Sequence, residues 1–239
     1  MSGLDLARIR AAFPRRGIQH YRSVPSTMDV AAELAIGSVV LADEQTAGQG
    51  RHGHTWHSET AAGLYCSIVM ETAPVLTLAL GLATQHAIQE VAGIACDLRW
   101  PNDVMLGGRK VAGILVQLVE GKAIAGIGIN VNHSSFPADL AREATSLGLH
   151  AGRVVDGTAI LIALLHAVES FASEDQESIL RLFTHASSYA SGRRVTVQQA
   201  DGVINGITVG LDPAGFLIVR KDDGTDTLIL AGGVRAAGS

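Results

Sequence analysis

The stretch Thr46-Ala47-Gly48-Gln49-Gly50-Arg51-His52-Gly53-His54-Thr55-Trp56 places three glycines, one arginine and one tryptophan within eleven residues. Glycines let a backbone curl tightly and present its N–H groups to an anion. The arginine can hold a carboxylate or a phosphate, and the indole can cover a flat ring. A second polar cluster, Arg99-Trp100-Pro101-Asn102-Asp103, follows later, with Arg109-Lys110 soon after it. Together the two clusters predict a site for a nucleotide and an acid.

The composition bounds the class of protein. The chain has 239 residues, 47% of them hydrophobic and 17% charged, with a formal net charge of −5. These values indicate a globular protein of one or two domains, and the negative charge argues against non-specific binding of nucleic acid or anionic membranes. The N-terminus lacks a signal-peptide core, and the apolar segment 75–95 carries polar side chains that favour a core helix over a membrane span. Cys66 and Cys96 have no metal-binding spacing, so we expect reduced, buried thiols in a cytoplasmic protein.

The order of apolar patterns predicts helices and strands in alternation up to about residue 187. Helices are expected over 4–13, 30–36, 158–171 and 176–186, and a long one is expected from Pro74 onward. Strands are expected over 18–24, 39–43, 64–70, 104–106, 111–119 and 123–131.

After Gly192 the pattern changes to short β runs separated by turns, over 195–197, 203–209, 216–219 and 227–230. Such regular spacing predicts a small barrel or sandwich. We therefore divide the chain into a first domain over 1–188 and a small β domain over 189–239. The fold class is α+β, with a mixed, mainly antiparallel sheet backed by helices in the first domain.

One predicted strand alternates small and amide side chains, with Gly126, Gly128, Asn130 and Asn132 at every second position. Alternate residues share a face of a sheet, so these four are expected to line one side. A face floored by glycine lets a flat ligand lie close to the backbone, although chance glycines that merely weaken a strand are an alternative.

Two other interpretations of the glycine-rich stretch are weaker. Gly48 to Gly53 matches G-x-G-x-x-G, but the polar residues that follow do not start the helix that a dinucleotide-binding turn requires. His52, His54 and His57 suggest a metal site, yet no fourth ligand is indicated, and we interpret them as solvated or substrate-facing histidines. A plain surface loop remains a third interpretation.

Several segments in this order resemble the motifs of biotin protein ligases. Ser26-Thr27 resembles the family's STN-type segment, and the stretch from Gln45 to Trp56 resembles its Q-x-AG-RGR-x-GR-x-W loop. The remaining matches are Arg99-Trp100-Pro101-Asn102-Asp103 with KWPND, Arg109-Lys110-Val111-Ala112-Gly113-Ile114-Leu115 with K-[LV]-[AG]-GIL, Gly128-Ile129-Asn130-Val131-Asn132 with GIN-x-N, Ala144-Thr145-Ser146-Leu147 with the segment after it, and 206–234 with the C-terminal barrel. Each motif is modest alone, but their order and spacing are specific.

The resemblance implies a fold and a reaction. The fold is that of the biotin–lipoate ligases, related to class II aminoacyl-tRNA synthetases, with a small Src-homology-type barrel at the C-terminus. The reaction activates biotin with ATP and Mg²⁺ as biotinyl-5'-adenylate and then transfers biotin to a lysine of a biotin carboxyl carrier protein. No tightly bound cofactor, nucleic acid or membrane is expected, and a homodimer is left open.

By position in the motifs, the resemblance implies three sets of site residues. Catalytic roles fall to Lys110, Arg51 and Arg99. Biotin would be bound by Ser26, Thr27, Met28, Gln45, Gln49, Gly50, Arg51, Lys110, Gly113 and Leu115. ATP and the adenylate would be bound by Arg51, His54, Trp56, Asn102, Asp103, Lys110 and Asn130, with Trp56 stacked on adenine and Asp103 near magnesium but not assigned as a ligand.

The chain departs from the family pattern at three positions. Gln49 and His54 stand where arginines are common, and Met28 stands where Asn is frequent. Fewer permanent cations should slow adenylation and make it more dependent on pH, since histidine is charged only part of the time near neutrality. A binding-only protein and a lipoate–protein ligase are the alternatives, although the lipoate ligase motif RR-x-SGGG is not found. No N-terminal DNA-binding segment precedes the motifs, so we expect no repressor role.

Overall fold

Seven strands form the larger sheet in the computed structural model, which describes residues 3–199 and 202–237 apart from the side chain of His52. The strands are β1 (Ile18–Tyr21), β2 (Val39–Ala42), β3 (Gly63–Met70), β4 (Asp97–Arg99), β5 (Asp103–Leu106), β6 (Arg109–Val119) and β7 (Lys122–Asn130). Their order across the sheet is β1-β2-β3-β7-β6-β5-β4. Strands β1 and β2 run parallel and every other neighbouring pair runs antiparallel, which confirms the predicted mixed, mainly antiparallel sheet.

Six helices accompany this sheet: α1 (Leu6–Ala12), α2 (Thr27–Ala32), α3 (Leu76–Ala92), α4 (Leu147–Ala151), α5 (Gly157–Ala172) and α6 (Gln176–Ala186). Helices α3 and α5 bury most of their apolar residues in one core with β3, β6 and β7, so they form the layer behind the sheet. Side chains of Asp5, Ser26, Ser146, Asp156 and Asp175 each accept a hydrogen bond from the first turn of a helix. Such caps contribute about 1 kcal/mol each.

The described helices show no stretch that is both long and apolar enough to span a bilayer. Segment 75–95 contains α3, as the polar side chains predicted. Both cysteines are free; Cys66 is buried and Cys96 is half-buried, and burial raises the pKa of each thiol to about 12.

The C-terminal region is a five-stranded antiparallel sheet. Its strands are β8 (Ser191–Gln199), β9 (Gly202–Leu211), β10 (Leu217–Lys221), β11 (Asp226–Ile229) and β12 (Gly233–Ala236), in the order β11-β10-β9-β8-β12. Val195, Val219 and Val234 belong to the same buried core as the helices of the first domain. The indole of Trp100 also donates to the carbonyl of Gly215 across this boundary (2.9 Å). The predicted β domain therefore packs on the first domain, and the boundary at residue 188 stays a prediction.

Several elements depart from the prediction, each for a local reason. Helix α2 begins at Thr27 instead of residue 30 because Ser26 caps it, and it ends at Ala32, where Lys122 donates to the carbonyls of Ala32 and Leu34. Strand β1 ends at Tyr21, because the chain bends before Pro25. Helix α4 and strand β12 lie outside the predicted elements, since α4 has only five residues and β12 has only four and begins at a glycine.

Candidate active site

A cavity of about 340 Å³ lies where the two predicted polar clusters meet. The glycine loop, defined as residues 46–57, covers one side with Arg51, His54 and Trp56. Strands β4 to β6 provide Arg99, Asp103 and Lys110 on the other side, and the segment 232–235 of the small sheet closes one edge. The structure therefore brings together residues that are more than fifty positions apart in the chain.

Asp103 is the centre of a cation cluster that also contains Arg51, Arg99 and Lys110. One carboxylate oxygen lies 2.6 Å from Lys110 Nζ, and the other lies 2.6 Å from an Arg99 nitrogen. Burial by itself would raise the pKa of Asp103, but Lys110 and Arg99 outweigh it and hold that pKa below its ordinary value of 3.8. Three cations then surround one anion, so the cluster keeps a net positive charge that suits an anionic ligand.

Arg51 reaches the cavity from the glycine loop. Its guanidinium donates to the Asn102 side chain (3.3 Å), and burial lowers its pKa while Asp103 acts in the opposite direction. The loop closes on itself, because the Gly50 N–H donates to the His54 carbonyl (2.7 Å) and the Trp56 N–H donates to the Gly48 carbonyl (2.8 Å). A Cβ at Gly48 would lie only 2.8 Å from the Trp56 carbonyl oxygen, so this turn requires glycine there.

A small pocket, named the ring pocket below, lies beside the cavity at the N-terminus of α2 and is lined by Ser26, Thr27, Met28 and Gln45. The amide and hydroxyl of Thr27 both donate to Gln45 Oε1, at 2.9 Å and 3.0 Å. The Thr27 hydroxyl also lies 2.8 Å from the hydroxyl of Ser67. These polar groups sit among buried apolar neighbours, which is the arrangement that orients a small polar ring. Ser67 was not among the predicted site residues, and the feature that distinguishes it in the sequence is a single serine hydroxyl within the apolar strand β3.

The glycine floor, formed by Gly113, Gly126 and Gly128, lies between the ring pocket and the cation cluster. Gly113 pairs with Gly128 across β6 and β7, and Gly126 lies two residues before Gly128, so the three glycines share one surface of the sheet. Of the four residues predicted to line one side, Gly126, Gly128 and Asn130 belong to β7, and Asn132 follows its end. The indole of Trp56 lies against this floor, because a Cβ at Gly128 would come within 2.5 Å of its ring and one at Gly113 within 2.9 Å. Lys110 Nζ lies 5.3 Å from the centre of the Trp56 ring, within the range of a cation–π contact. The face expected to hold a flat ligand therefore holds a flat side chain of the protein itself.

The other predicted site residues differ in how close they come to the cavity. Met28 packs over Gly126, and Leu115 packs against the same small apolar cluster as Met28. Asn102 and Asn130 line the cavity, yet each also donates to a backbone carbonyl, those of Ile114 (2.9 Å) and Thr145 (3.1 Å). Their amide groups thus hold strands in place as well as facing the cavity.

The two positions that depart from the arginine pattern have different surroundings. Gln49 is exposed; it donates to Asp29 (3.1 Å) and accepts from Gln117 (3.1 Å). His54 is exposed and lines the cavity. Of the three loop histidines considered as metal ligands, His52 has a side chain outside the described part of the structure, and only His57 lies near other metal-ligating groups, namely Glu59 and His133.

Comparison with known proteins gives consistent matches over both domains. Residues 21–134 match the biotin/lipoate A/B protein ligase family, and residues 190–234 match the biotin protein ligase C-terminal domain. The chain is 32% identical over 220 residues to the bifunctional ligase/repressor BirA of Bacillus subtilis, covering 83% of this chain and 68% of that protein. It is 30% identical over 210 residues to the biotin–[acetyl-CoA-carboxylase] ligase of Mycobacterium tuberculosis, covering 82% and 77%. The structure of the Aquifex aeolicus biotin protein ligase with biotin and ATP superimposes with a TM-score of 0.84 and 30% identity, covering 92% of this chain and 99% of that one.

Proposed function

The chain belongs to the biotin protein ligase family, and from that premise we propose how its residues carry out the reaction. It is an ATP-dependent biotin–protein ligase, as the motif resemblance indicated. A carboxylate oxygen of biotin attacks the α-phosphorus of ATP, pyrophosphate leaves, and biotinyl-5'-adenylate forms. The ε-amine of a lysine on the carrier protein then attacks the acyl carbon, loses a proton and releases AMP.

The single observation that carries the proposed roles is the cation cluster beside the ring pocket. Biotin's carboxylate and the α-phosphate are both anions, and their approach concentrates negative charge at one point. Lys110 and Arg51 lie on opposite sides of the cavity and can offset that charge, while Arg99 stays paired with Asp103. Fixed cations that meet developing charge lower the barrier more than they tighten the binding of substrate.

We assign the bicyclic ring of biotin to the ring pocket. Ser26, Thr27 and Gln45 supply a donor and acceptor set at its inner end, and the glycine floor lets the ring lie flat against the sheet. The valeryl tail would then run across the floor toward Lys110. Gly50, Gln49 and Leu115 flank this path, in keeping with the biotin-binding roles that the motifs imply.

Because Trp56 occupies the floor, biotin binding requires the indole to move. We propose that the glycine loop shifts when biotin enters and that Trp56 then stacks on the adenine of ATP, with His54, Asn102 and Asn130 beside the nucleotide. The same loop would exclude water from the mixed anhydride, which hydrolyses when exposed.

Magnesium accompanies ATP as the cation of its phosphates. Both oxygens of Asp103 already accept from Lys110 and Arg99 at 2.6 Å, so two cations offset the charge that would draw the ion to this carboxylate. We therefore assign no protein ligand to the ion. The charge chemistry of the site rests on Lys110 and Arg51, with Arg99 paired to Asp103.

The partners beyond biotin and ATP are part of the proposal. The carrier protein follows from the reaction, and we propose a cytoplasmic enzyme without a nucleic-acid partner on the grounds of net charge and thiol chemistry. A homodimer is a further proposal, tested by sedimentation equilibrium. Among the alternatives, the match of residues 190–234 to the C-terminal domain of biotin protein ligases disfavours a lipoate ligase.

The test follows both steps with the purified full chain. Biotin, MgATP and a carrier domain are mixed, and mass spectrometry follows the adenylate and the carrier. The expected result is biotinyl-adenylate without carrier and a carrier heavier by one biotin with it. A binding-only protein would yield neither product, and a lipoate ligase would yield the lipoyl products instead.

A further inference from the structure

At the end of the glycine loop lies a second cluster of metal-ligating side chains, formed by His57, Glu59 and His133. One ligand atom from each lies within 4.8 Å of the other two. His57 follows Trp56 directly and lines the cavity, and His133 comes just after the end of β7. The cluster therefore connects the end of the loop with the central sheet, and the adenylation chemistry does not use it.

The hydrogen bonds of Tyr65 determine which nitrogen of His133 carries the proton. The Tyr65 hydroxyl lies 3.0 Å from the Glu59 carbonyl oxygen, which can only accept, and 3.2 Å from His133 Nε2. A hydroxyl has one proton, so both contacts are satisfied only if Tyr65 donates to the carbonyl and accepts from a protonated Nε2. His133 Nδ1 then carries a free lone pair.

That lone pair is buried and has no hydrogen-bond partner among the described residues. The His133 side chain is about 1% exposed, and Nδ1 is one of the few buried polar atoms left unpaired. A neutral imidazole nitrogen with a free lone pair is the form of histidine that binds a metal. An unpaired buried acceptor is costly, and a metal ion is one partner that removes this cost.

We propose that His57, Glu59 and His133 form a binding site for a borderline transition-metal cation of the Zn²⁺ class. Two imidazoles and one carboxylate are a common zinc ligand set, with water as a fourth ligand, whereas Mg²⁺ and Ca²⁺ prefer oxygen ligands alone. Neighbouring ligand atoms of a tetrahedral zinc ion lie roughly 3.3 Å apart, given bonds of about 2.0–2.1 Å. The ligand atoms lie within 4.8 Å of one another, so metal binding would draw the exposed Glu59 and half-buried His57 side chains inward.

The surroundings of the cluster support a metal site over a chance grouping. The Nε2–H of His133 bonded to Tyr65 matches the outer hydrogen bond that usually orients a metal-ligating histidine. Phe136 stacks on the His133 ring at 5.2 Å between centroids and limits its rotation. A bound cation would fasten the loop end at His57 to the sheet at His133 and so restrict the movement of Trp56.

The test uses metal alone, without biotin or ATP. Full-length protein freed of metal with a chelator is titrated with Co²⁺ at pH 7.5, followed by visible absorption, and Zn²⁺ is then added as competitor. We expect one equivalent of Co²⁺ with the intense band of a four- or five-coordinate site, displaced by Zn²⁺, and roughly tenfold or greater weakening in His57→Ala and in Glu59→Gln. The control is His150→Ala, an exposed histidine on helix α4 that does not belong to the cluster.

Two results would overturn the proposal. One is a wild-type protein that binds Co²⁺ no more tightly than His57→Ala and Glu59→Gln. The other is an equal loss of binding in His150→Ala, which would point to scattered surface histidines. His133→Ala can fail to fold because the residue is buried, so the decision rests on the two accessible positions.

Discussion

Replacing Lys110 with alanine should slow adenylation far more than it weakens the binding of biotin. Lys110 Nζ lies 2.6 Å from Asp103, and its side chain is 30% exposed at the edge of the cavity. Two unit charges 4 Å apart interact by about 4 kcal/mol at an effective dielectric constant of 20. Asp103 offsets part of the charge of Lys110, and solvent screens the rest. We therefore expect a loss of about 2–4 kcal/mol of transition-state stabilisation, or roughly 30- to 1000-fold in kcat/KM.

The assay is the initial rate of biotin-dependent pyrophosphate release, with biotin affinity measured separately by calorimetry. Arg109→Ala is the matched control, because Arg109 is the adjacent, exposed cation and does not line the cavity. Lys110→Arg keeps the charge but changes its shape, and it should recover part of the rate. The reasoning is refuted if Lys110→Ala retains the wild-type rate or if Arg109→Ala is equally slow.

Three further predictions concern neighbouring parts of the site. Trp56→Ala should tighten biotin binding without ATP by roughly five- to thirtyfold, or about 1–2 kcal/mol, since the glycine floor is then free. Calorimetry that shows equal or weaker binding would contradict the position assigned to the biotin ring. Asp103→Asn should lower the free energy of unfolding by about 2–4 kcal/mol at pH 7 because two cations lose their partner. The folded pKa of Asp103 lies below 3.8, so the difference in unfolding free energy between wild type and variant should be complete above about pH 5. It should vanish as the pH falls through the folded pKa. Urea unfolding at pH 7 and pH 3 measures this change. His54→Arg should lower the KM for ATP about three- to tenfold, and Gln49→Arg should do less because Asp29 would pair with the new charge; steady-state kinetics giving the reverse order would be the contrary result.

Local sequence patterns predicted most of the fold. The alternation of apolar runs and turn residues located β3, β6, β7, α3, α5 and α6 to within a few residues, because each buries a continuous face whose period is visible in the sequence. Short elements escaped this reasoning. Helix α4 has five residues, and β12 begins at Gly233, so neither shows a period of its own.

The sequence predicted the charged part of the site, because clustered Arg, Lys and Asp side chains near strand ends are typical of anion-binding sites. The sequence analysis grouped Arg99, Asp103 and Lys110 into neighbouring polar clusters, and the structure brings them together because β5 and β6 pair as adjacent strands. The position of Trp56 could not be read from the sequence, since the same indole can lie on the glycine floor or on an adenine ring. Tyr65 and His133 also escaped notice, because their pairing depends on contacts between residues sixty-eight positions apart.

A structure of the chain with a non-hydrolysable analogue of biotinyl-adenylate is the most direct test of the mechanism. We predict the bicyclic ring on Gly113 and Gly128 with its polar edge at Thr27 and Gln45, Lys110 Nζ within hydrogen-bonding distance of the phosphate analogue, and Trp56 displaced from the floor. An analogue bound elsewhere, with Trp56 still against Gly128 and Lys110 still held by Asp103 alone, would contradict it.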